Sequence, residues 1–151
     1  MNAQPTAPHF SLGPLSIWAK SRPYPDAEDG WDEAFIEVYA SVSLPNAWVE
    51  VGGGNGLVSM ALAQFISALE RLDDTLSGRA ELQADWLNLT LTGDGLGHCG
   101  VVLEVYPGYV EQWHRFRFEV DQTQVRSALV QAKSVLATYP VPPKYASTPT
   151  P

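Results

Sequence analysis

The sequence has little of the residue types that metal sites and disulfides require. It contains one cysteine, Cys99, and three histidines. A single cysteine cannot form a disulfide within the chain. Asp94 and His98 lie near Cys99 in a glycine-rich loop, but a zinc site needs three or four ligands, and no second Cys or His pair is spaced to complete one. We therefore interpret the loop as a hairpin turn and predict that no metal is bound.

Basic residues are also scarce. Nine Lys and Arg stand against seventeen Asp and Glu, which gives a formal net charge of -8. Nucleic acids and anionic membranes are bound through clustered Lys and Arg, so we expect neither as a partner. No stretch approaches the roughly 18 apolar residues of a membrane span, and the first ten residues lack the basic and apolar regions of a signal peptide. These absences predict a cytoplasmic protein. The acidity would suit a basic partner, but from composition alone we favour the alternative that it only keeps the protein soluble.

Motifs for nucleotide binding and for catalysis are missing. Gly52 to Gly56 precedes a predicted helix, but Leu57 stands where a dinucleotide fingerprint has its third glycine, and no Lys-Ser or Lys-Thr pair follows. Cys99 could pair with His98 or His114, yet His98 is adjacent and so points in the opposite direction on a strand, and nothing in the sequence orients a base. We predict no enzymatic activity and no cofactor.

The chain has the length and apolar content of one globular domain. It has 151 residues, and 45% of them are hydrophobic. Residues 1–9, which include Pro5 and Pro8, are predicted to be a flexible lead. Residues 10–139 form the predicted domain, and residues 140–151, which hold five prolines, are predicted to be a disordered tail.

Residues 113–139 predict a strand that leads directly into a helix. Phe116, Phe118 and Val120 alternate with charged residues, which is the period-two pattern of a half-buried strand. Asp121 is a candidate N-cap, and Gln124 completes a capping box three residues later. Apolar residues then recur at helical spacing: Val125, Ala128, Leu129, Ala132, Val135, Leu136 and Tyr139. We expect this helix to pack on the sheet that contains the strand.

Apolar alternation predicts further strands on both sides of a second helix. Strands are predicted within residues 10–20, 34–43, 48–51, 80–84, 87–91 and 101–105, and the helix within residues 62–76. The order of strands, helix, strands, helix excludes a doubly wound parallel sheet. It predicts an α+β fold with an antiparallel meander of about six or seven strands and two helices packed on one face.

Two surfaces are candidates for binding a partner. The first is the acidic segment, residues 26–33, which holds five carboxylates and one tryptophan. Its carboxylates would steer a basic partner, and its indole would fill a pocket on that partner; the alternative is a solvated surface loop. The segment's candidate residues are Asp26, Glu28, Asp29, Trp31, Asp32 and Glu33. The second surface is the sheet face turned away from the helices, where alternation places Tyr39, Trp48, Trp86, Tyr106 and Trp113. The alternative is that these rings cover the sheet or pack beneath the N-terminal strands.

The second half of the chain resembles a known family. The resemblance rests on Gly78-Arg79-Ala80-Glu81-Leu82 after a helix, the strand at residues 87–92, Gly100-Val101-Val102-Leu103-Glu104-Val105, and residues 116–123 entering the last helix. This pattern, over residues 57–139, is similar to the WapI-like bacterial immunity proteins, which protect a cell from WapA-type polymorphic toxins. Residues 1–50 share no signature with that family.

The resemblance implies a role in which the protein binds and blocks a cognate toxin domain, often a basic nuclease. The family has no catalytic motif, so the resemblance implies no site residues. Two other functions remain open from the sequence. A small acidic secretion chaperone is also α+β but characteristically opens with a helix, and a ligand-binding domain would need a pocket between sheet and helices.

Overall fold

The computed structural model describes residues 7–28, 32–52, 56–106 and 111–146. The first sheet contains β1 (Phe10–Leu12), β2 (Leu15–Ser21), β3 (Phe35–Leu44), β4 (Ala47–Gly52) and β5 (Leu57–Val58). The second sheet contains β6 (Ser77–Ala84), β7 (Leu87–Asp94), β8 (His98–Val105) and β9 (His114–Asp121). The helices are α1 (Ser59–Thr75), α2 (Gln122–Thr138) and the short α3 (Pro143–Ala146), and Asp32–Ala34 forms a 3-10 turn.

The predicted α+β class, with antiparallel strands and two main helices, is confirmed. The strands divide into sheets of five and four, however, where the sequence predicted a single meander of six or seven. The division falls at α1, which separates the two sheets along the chain. Alternation identifies strands and their buried faces, but it does not determine which strand edges pair. A backbone hydrogen bond of 3.0 Å from Asp85 N to the carbonyl of Gly56 connects the second sheet to the entry of β5.

The first residues of α2 confirm the predicted capping box. The Asp121 carboxylate accepts a hydrogen bond of 2.9 Å from Gln124 N, and the Gln124 side chain accepts one of 3.0 Å from Asp121 N. Because Asp121 is also the last residue of β9, the strand passes into the helix without a loop. The cap therefore determines where α2 starts relative to the second sheet.

One hydrophobic core joins the apolar faces of both sheets to the apolar stripes of α1 and α2. The ring of Phe65 in α1 is fully buried and meets Phe10 of β1 edge to face, with centroids 6.2 Å apart. Phe116 and Phe118 are half-buried and pack against this core, so β9 presents the predicted face. Other fully buried side chains are Leu12, Leu15, Ile36, Leu69, Leu87, Leu89, Leu91 and Leu103.

Among the described residues, the apolar core between the sheets and the helices is tightly packed. The space lined by Phe10, Phe65, Leu82 and their apolar neighbours holds about 20 Å³, far below the roughly 300 Å³ at which ligand pockets begin. This dense packing counts against a ligand-binding domain built around the core. Within the described residues, no helix is both long and apolar enough to cross a membrane.

Candidate functional site

The acidic segment lies between β2 and β3, and the structure describes four of its six predicted binding residues. Asp26, Glu28 and Asp32 are exposed, whereas Glu33 is half-buried. Asp32 and Glu33 begin the 3-10 turn that leads into β3. The other two predicted residues, Asp29 and Trp31, lie outside the described residues.

Glu33 forms an ion pair with Lys144 in α3. Its carboxylate lies 2.8 Å from the Lys144 ammonium, and its side chain is 22% exposed. This carboxylate raises the pKa of Lys144, with a smaller contribution from Tyr145. The Lys144 ammonium also donates a hydrogen bond of 3.5 Å to the carbonyl of Glu28. Residues 143–146, within the predicted tail, therefore contact the acidic segment from outside the predicted domain.

Arg22 also anchors this region through backbone carbonyls. Its guanidinium donates a hydrogen bond of 2.7 Å to the carbonyl of Glu33 and another to the carbonyl of Pro140. The segment's end is thus anchored by backbone and side-chain contacts, while Asp26, Glu28 and Asp32 form no ion pair with any described residue. Four described carboxylates here outnumber the two cations, so the surface keeps a negative excess.

The outer face of the second sheet carries an ordered pair of aromatic side chains. One oxygen of Glu104 in β8 accepts hydrogen bonds from the Tyr106 hydroxyl, at 2.9 Å, and from the Trp113 indole, at 3.1 Å. Tyr106 is 38% exposed and Trp113 is 57% exposed. The bond to the Glu104 carboxylate raises the pKa of Tyr106. These rings are held in place while facing solvent, which lowers the conformational entropy lost on binding a partner.

The other three rings of the predicted aromatic surface do not lie beside Tyr106 and Trp113: two are in the first sheet, and one packs against the core. In the first sheet, the Tyr39 hydroxyl donates to Glu37 at 3.0 Å, and this bond raises the pKa of Tyr39. Trp48 in β4 is 55% exposed. Trp86, which alternation placed on the open face, instead packs against the core from the two-residue turn between β6 and β7. A turn residue does not follow the alternation of the strands that it joins, so its orientation could not be predicted from periodicity.

The glycine-rich loop between β7 and β8 is a hairpin turn organised by one carboxylate. Asp94 accepts hydrogen bonds of 2.7 Å from Leu96 N and 3.1 Å from His98 N. The Leu96 bond is the main cause of a lowered pKa for Asp94. Cys99 is buried, and burial raises the pKa of its thiol. The described part of the chain contains no group of three or more His, Cys, Asp or Glu that could hold a metal ion.

Sequence reasoning did not find two of these arrangements. The Glu33–Lys144 pair joins positions that are far apart in sequence, and no local pattern signals it. The second arrangement is the Glu104 cluster, formed by Glu104, Tyr106 and Trp113. The sequence indicates part of it, because Glu104 and Tyr106 are two residues apart at the end of a strand and therefore share one face. Nothing in the sequence shows that the indole of Trp113, the residue before β9, reaches the same oxygen.

Comparison with protein-family models identifies the relationship. The model of the immunity protein WapI-like family matches residues 10–140. The chain belongs to this family. The match begins in β1, so the relationship includes the first half of the domain, where the sequence showed no shared signature. Comparisons with curated proteins and with solved structures gave no match.

Membership in the WapI-like immunity family implies a protein partner, and it suggests a role without catalysis. The matched range includes the acidic segment and the Glu104 cluster. It ends at residue 140, so Lys144 lies just beyond it. In this WapI-like chain, one end of the acidic segment is therefore held by an ion pair between Glu33, inside the family match, and Lys144, outside it.

Proposed function

We propose that this protein is an immunity protein that binds a cognate toxin domain and blocks it stoichiometrically, without catalysis. Family membership supports the immunity role. The net charge of -8 supports a basic toxin surface as the target. The toxin's activity would be blocked because the bound immunity protein covers the surface that its substrate must reach.

The acidic segment carries this proposal. Asp26, Glu28 and Asp32 are exposed and are not neutralised by any described residue. They lie in the same segment as Glu33, which Arg22 and Lys144 hold in place. Exposed carboxylates in an anchored segment attract a basic partner over distances near the Debye length, about 8 Å at physiological salt. The two anchoring contacts limit the ordering cost once that partner arrives.

Contact would then involve both charge and an aromatic anchor. We assign the charged contacts to Asp26, Glu28, Asp29 and Asp32, and the anchor to Trp31. Tryptophan is enriched among residues that dominate binding energy, since its ring buries a large area at a small entropic cost. Glu33 would act indirectly, because its carboxylate is already paired with Lys144.

Co-expression tests the proposed function directly. The neighbouring open reading frame is examined first; if it encodes a toxin domain, that domain is the probe, expressed in a host whose growth it arrests. We expect this protein to restore growth and to co-purify with the toxin domain as an equimolar complex. Growth arrest that persists while this protein is present and folded would overturn the proposal.

A titration separates blocking from catalysis. Purified toxin domain is mixed with increasing amounts of this protein, and the remaining toxin activity is measured. Stoichiometric blocking predicts that inhibition is complete near one equivalent. Complete loss of toxin activity at a small fraction of one equivalent, increasing with time, would instead show that this protein inactivates the toxin catalytically.

A further inference from the structure

Strand β6 lies at one edge of the second sheet, and its outward backbone groups are regularly spaced. β6 and β7 are joined by a two-residue turn, with Ala84 opposite Leu87. In such a hairpin the residues that flank the turn exchange hydrogen bonds, and the pattern alternates along the strand. The N–H and C=O groups of Arg79, Glu81 and Gln83 therefore point away from β7. The Asp85 N–H points the same way and is bonded to the Gly56 carbonyl, so the open part of the edge ends before Asp85.

The hydrogen bonds at the start of β6 agree with this alternation. Ser77 has the same parity as Arg79, and both of its outward groups are bonded to the Thr75 hydroxyl, at 2.9 Å and 3.4 Å. No described residue forms a comparable bond with the outward backbone groups of Arg79, Glu81 or Gln83. A row of unpaired strand groups is a template for another strand.

A groove runs along this edge. It has a volume of about 510 Å³ and is lined by Arg79, Glu81 and Gln83 on one side and by Ala61, Gln64 and Ala68 of α1 on the other. The two alanines are seven residues apart, so they lie on the same face of the helix. Small side chains on that face leave space for a strand beside β6 and for a second helix beside α1.

The charges on the β6 edge of one copy would match the opposite charges on the β6 edge of a second copy. Arg79 and Glu81 form an ion pair on the outer face, with side chains 63% and 45% exposed. If β6 pairs antiparallel with a second β6 so that the two Ala80 residues are opposite, each Arg79 faces Glu81 of the second copy. Moving the register by two residues would place the two Glu81 carboxylates opposite each other, which is unfavourable. Moving the register by one residue would put the buried side chains of one β6 on the solvent face of the joined sheet.

We propose that two copies of this protein form a symmetric dimer through their β6 edges. Arg79 and Glu81 of each copy exchange backbone hydrogen bonds with Glu81 and Arg79 of the other, and the two second sheets become one continuous sheet. The two α1 helices lie antiparallel and approach through Ala61 and Ala68. This contact is isologous, as two-fold symmetry requires.

A second copy fits the edge better than a basic toxin does. Arg79 and Glu81 cancel each other's charge, although the whole chain carries -8. A basic partner would be drawn to the acidic segment and gains nothing from a neutral edge. The dimer is independent of the proposed immunity function, and either proposal can fail while the other holds.

Molar mass in solution tests the dimer. The chain has a mass of 16.5 kDa, so light scattering after size exclusion should give about twice that value for the wild type. Arg79→Glu and Glu81→Arg should each reduce the mass to that of one chain, because like charges then face each other. The double variant restores opposite charges and should restore the dimer. Arg117→Glu, on the exposed face of β9, is the matched control and should remain dimeric.

Hydrogen exchange tests the same contact without a substitution. As wild-type concentration rises through the dimerisation range, exchange at the amides of Arg79 and Glu81 should slow, while exchange at the amide of Arg117 should not change. A wild-type mass of one chain at every concentration would overturn the proposal. So would a dimer whose mass is unaffected by both single reversals, because its contact would lie elsewhere.

Discussion

The carboxylate of Glu33 lies 2.8 Å from the ammonium of Lys144. This pair connects the end of the acidic segment to α3, beyond the last residue of the family match. Because Glu33 is engaged within the chain, it differs from the exposed carboxylates of the same segment. The proposed binding surface therefore contains exposed carboxylates, which we propose contact the partner, and Glu33, which holds the segment in position.

Reversing the exposed charges should slow association with the toxin domain. We expect the triple variant Asp26→Lys, Glu28→Lys and Asp32→Lys to lower the association rate constant by about 10-fold or more at low salt, with a smaller change in dissociation. Surface plasmon resonance at several salt concentrations measures both rate constants, and the difference from wild type should shrink as salt rises.

The matched control reverses three exposed carboxylates outside the segment: Asp74, Glu111 and Glu119. It changes the net charge by the same amount but leaves the segment intact, so association should slow much less. Equal slowing by both triple variants would show that total charge, and not the acidic segment, steers the encounter.

Truncation of Phe65 should be among the most destabilising changes in the core. Its ring is fully buried and contacts Phe10, so Phe65→Ala should lower the free energy of unfolding by about 3 to 5 kcal/mol. Phe118→Ala should cost less, because that ring is only half-buried. Urea denaturation measures both values. An equal or larger loss for Phe118 would contradict the packing described for β9.

Glycines at two neighbouring rungs of the β7–β8 ladder should respond differently to alanine. A Cβ at Gly93 would lie 2.5 Å from the carbonyl oxygen of Leu76 and 2.7 Å from a Leu72 methyl. Gly93→Ala should therefore lower the free energy of unfolding by about 1 to 3 kcal/mol through overpacking.

Gly100 is the matched control, because a Cβ there meets no atom within 4 Å. Gly100→Ala should be neutral or should stabilise the protein by up to about 1 kcal/mol, since alanine loses less backbone entropy in a strand. Thermal unfolding of the two variants checks the contrast. Similar losses at both positions would mean that the end of α1 does not approach β7 as closely as the structure shows.

Because the pKa of Asp94 is lowered in the folded chain, we expect the free energy of unfolding to fall in acid. Hydrogen bonds from Leu96 N and His98 N lower the pKa of Asp94 from its ordinary value of 3.8. The unfolded chain therefore binds this proton more readily than the folded chain does. The resulting stabilisation is present above pH 3.8 and is lost as the pH falls through the lowered folded pKa.

Asp94→Asn removes this titration while keeping a side-chain oxygen that can accept the two bonds. Urea midpoints measured from neutral pH down through the acid range should show wild type losing more stability than the variant. Parallel curves for the two proteins below the ordinary pKa would show that Asp94 does not contribute to the acid dependence.

Much of the local structure follows from the sequence. The alternation of Phe116, Phe118 and Val120 determines which face of β9 meets the core, since a strand exposes successive side chains to opposite faces. Asp121 and Gln124 determine where α2 begins, because they satisfy N–H groups that the helix itself leaves free. These signals depend only on residues close together in the chain.

Tertiary structure decided the remaining features. Strand edges are chemically alike, so alternation along each strand could not show that the strands divide into sheets of five and four on either side of α1. Trp86 turned toward the core because it occupies a turn, where alternation no longer applies. Glu33 met Lys144 only because the chain after α2 returns to the start of β3. In each case the deciding contact joins residues that are distant in sequence, which local physical chemistry cannot specify.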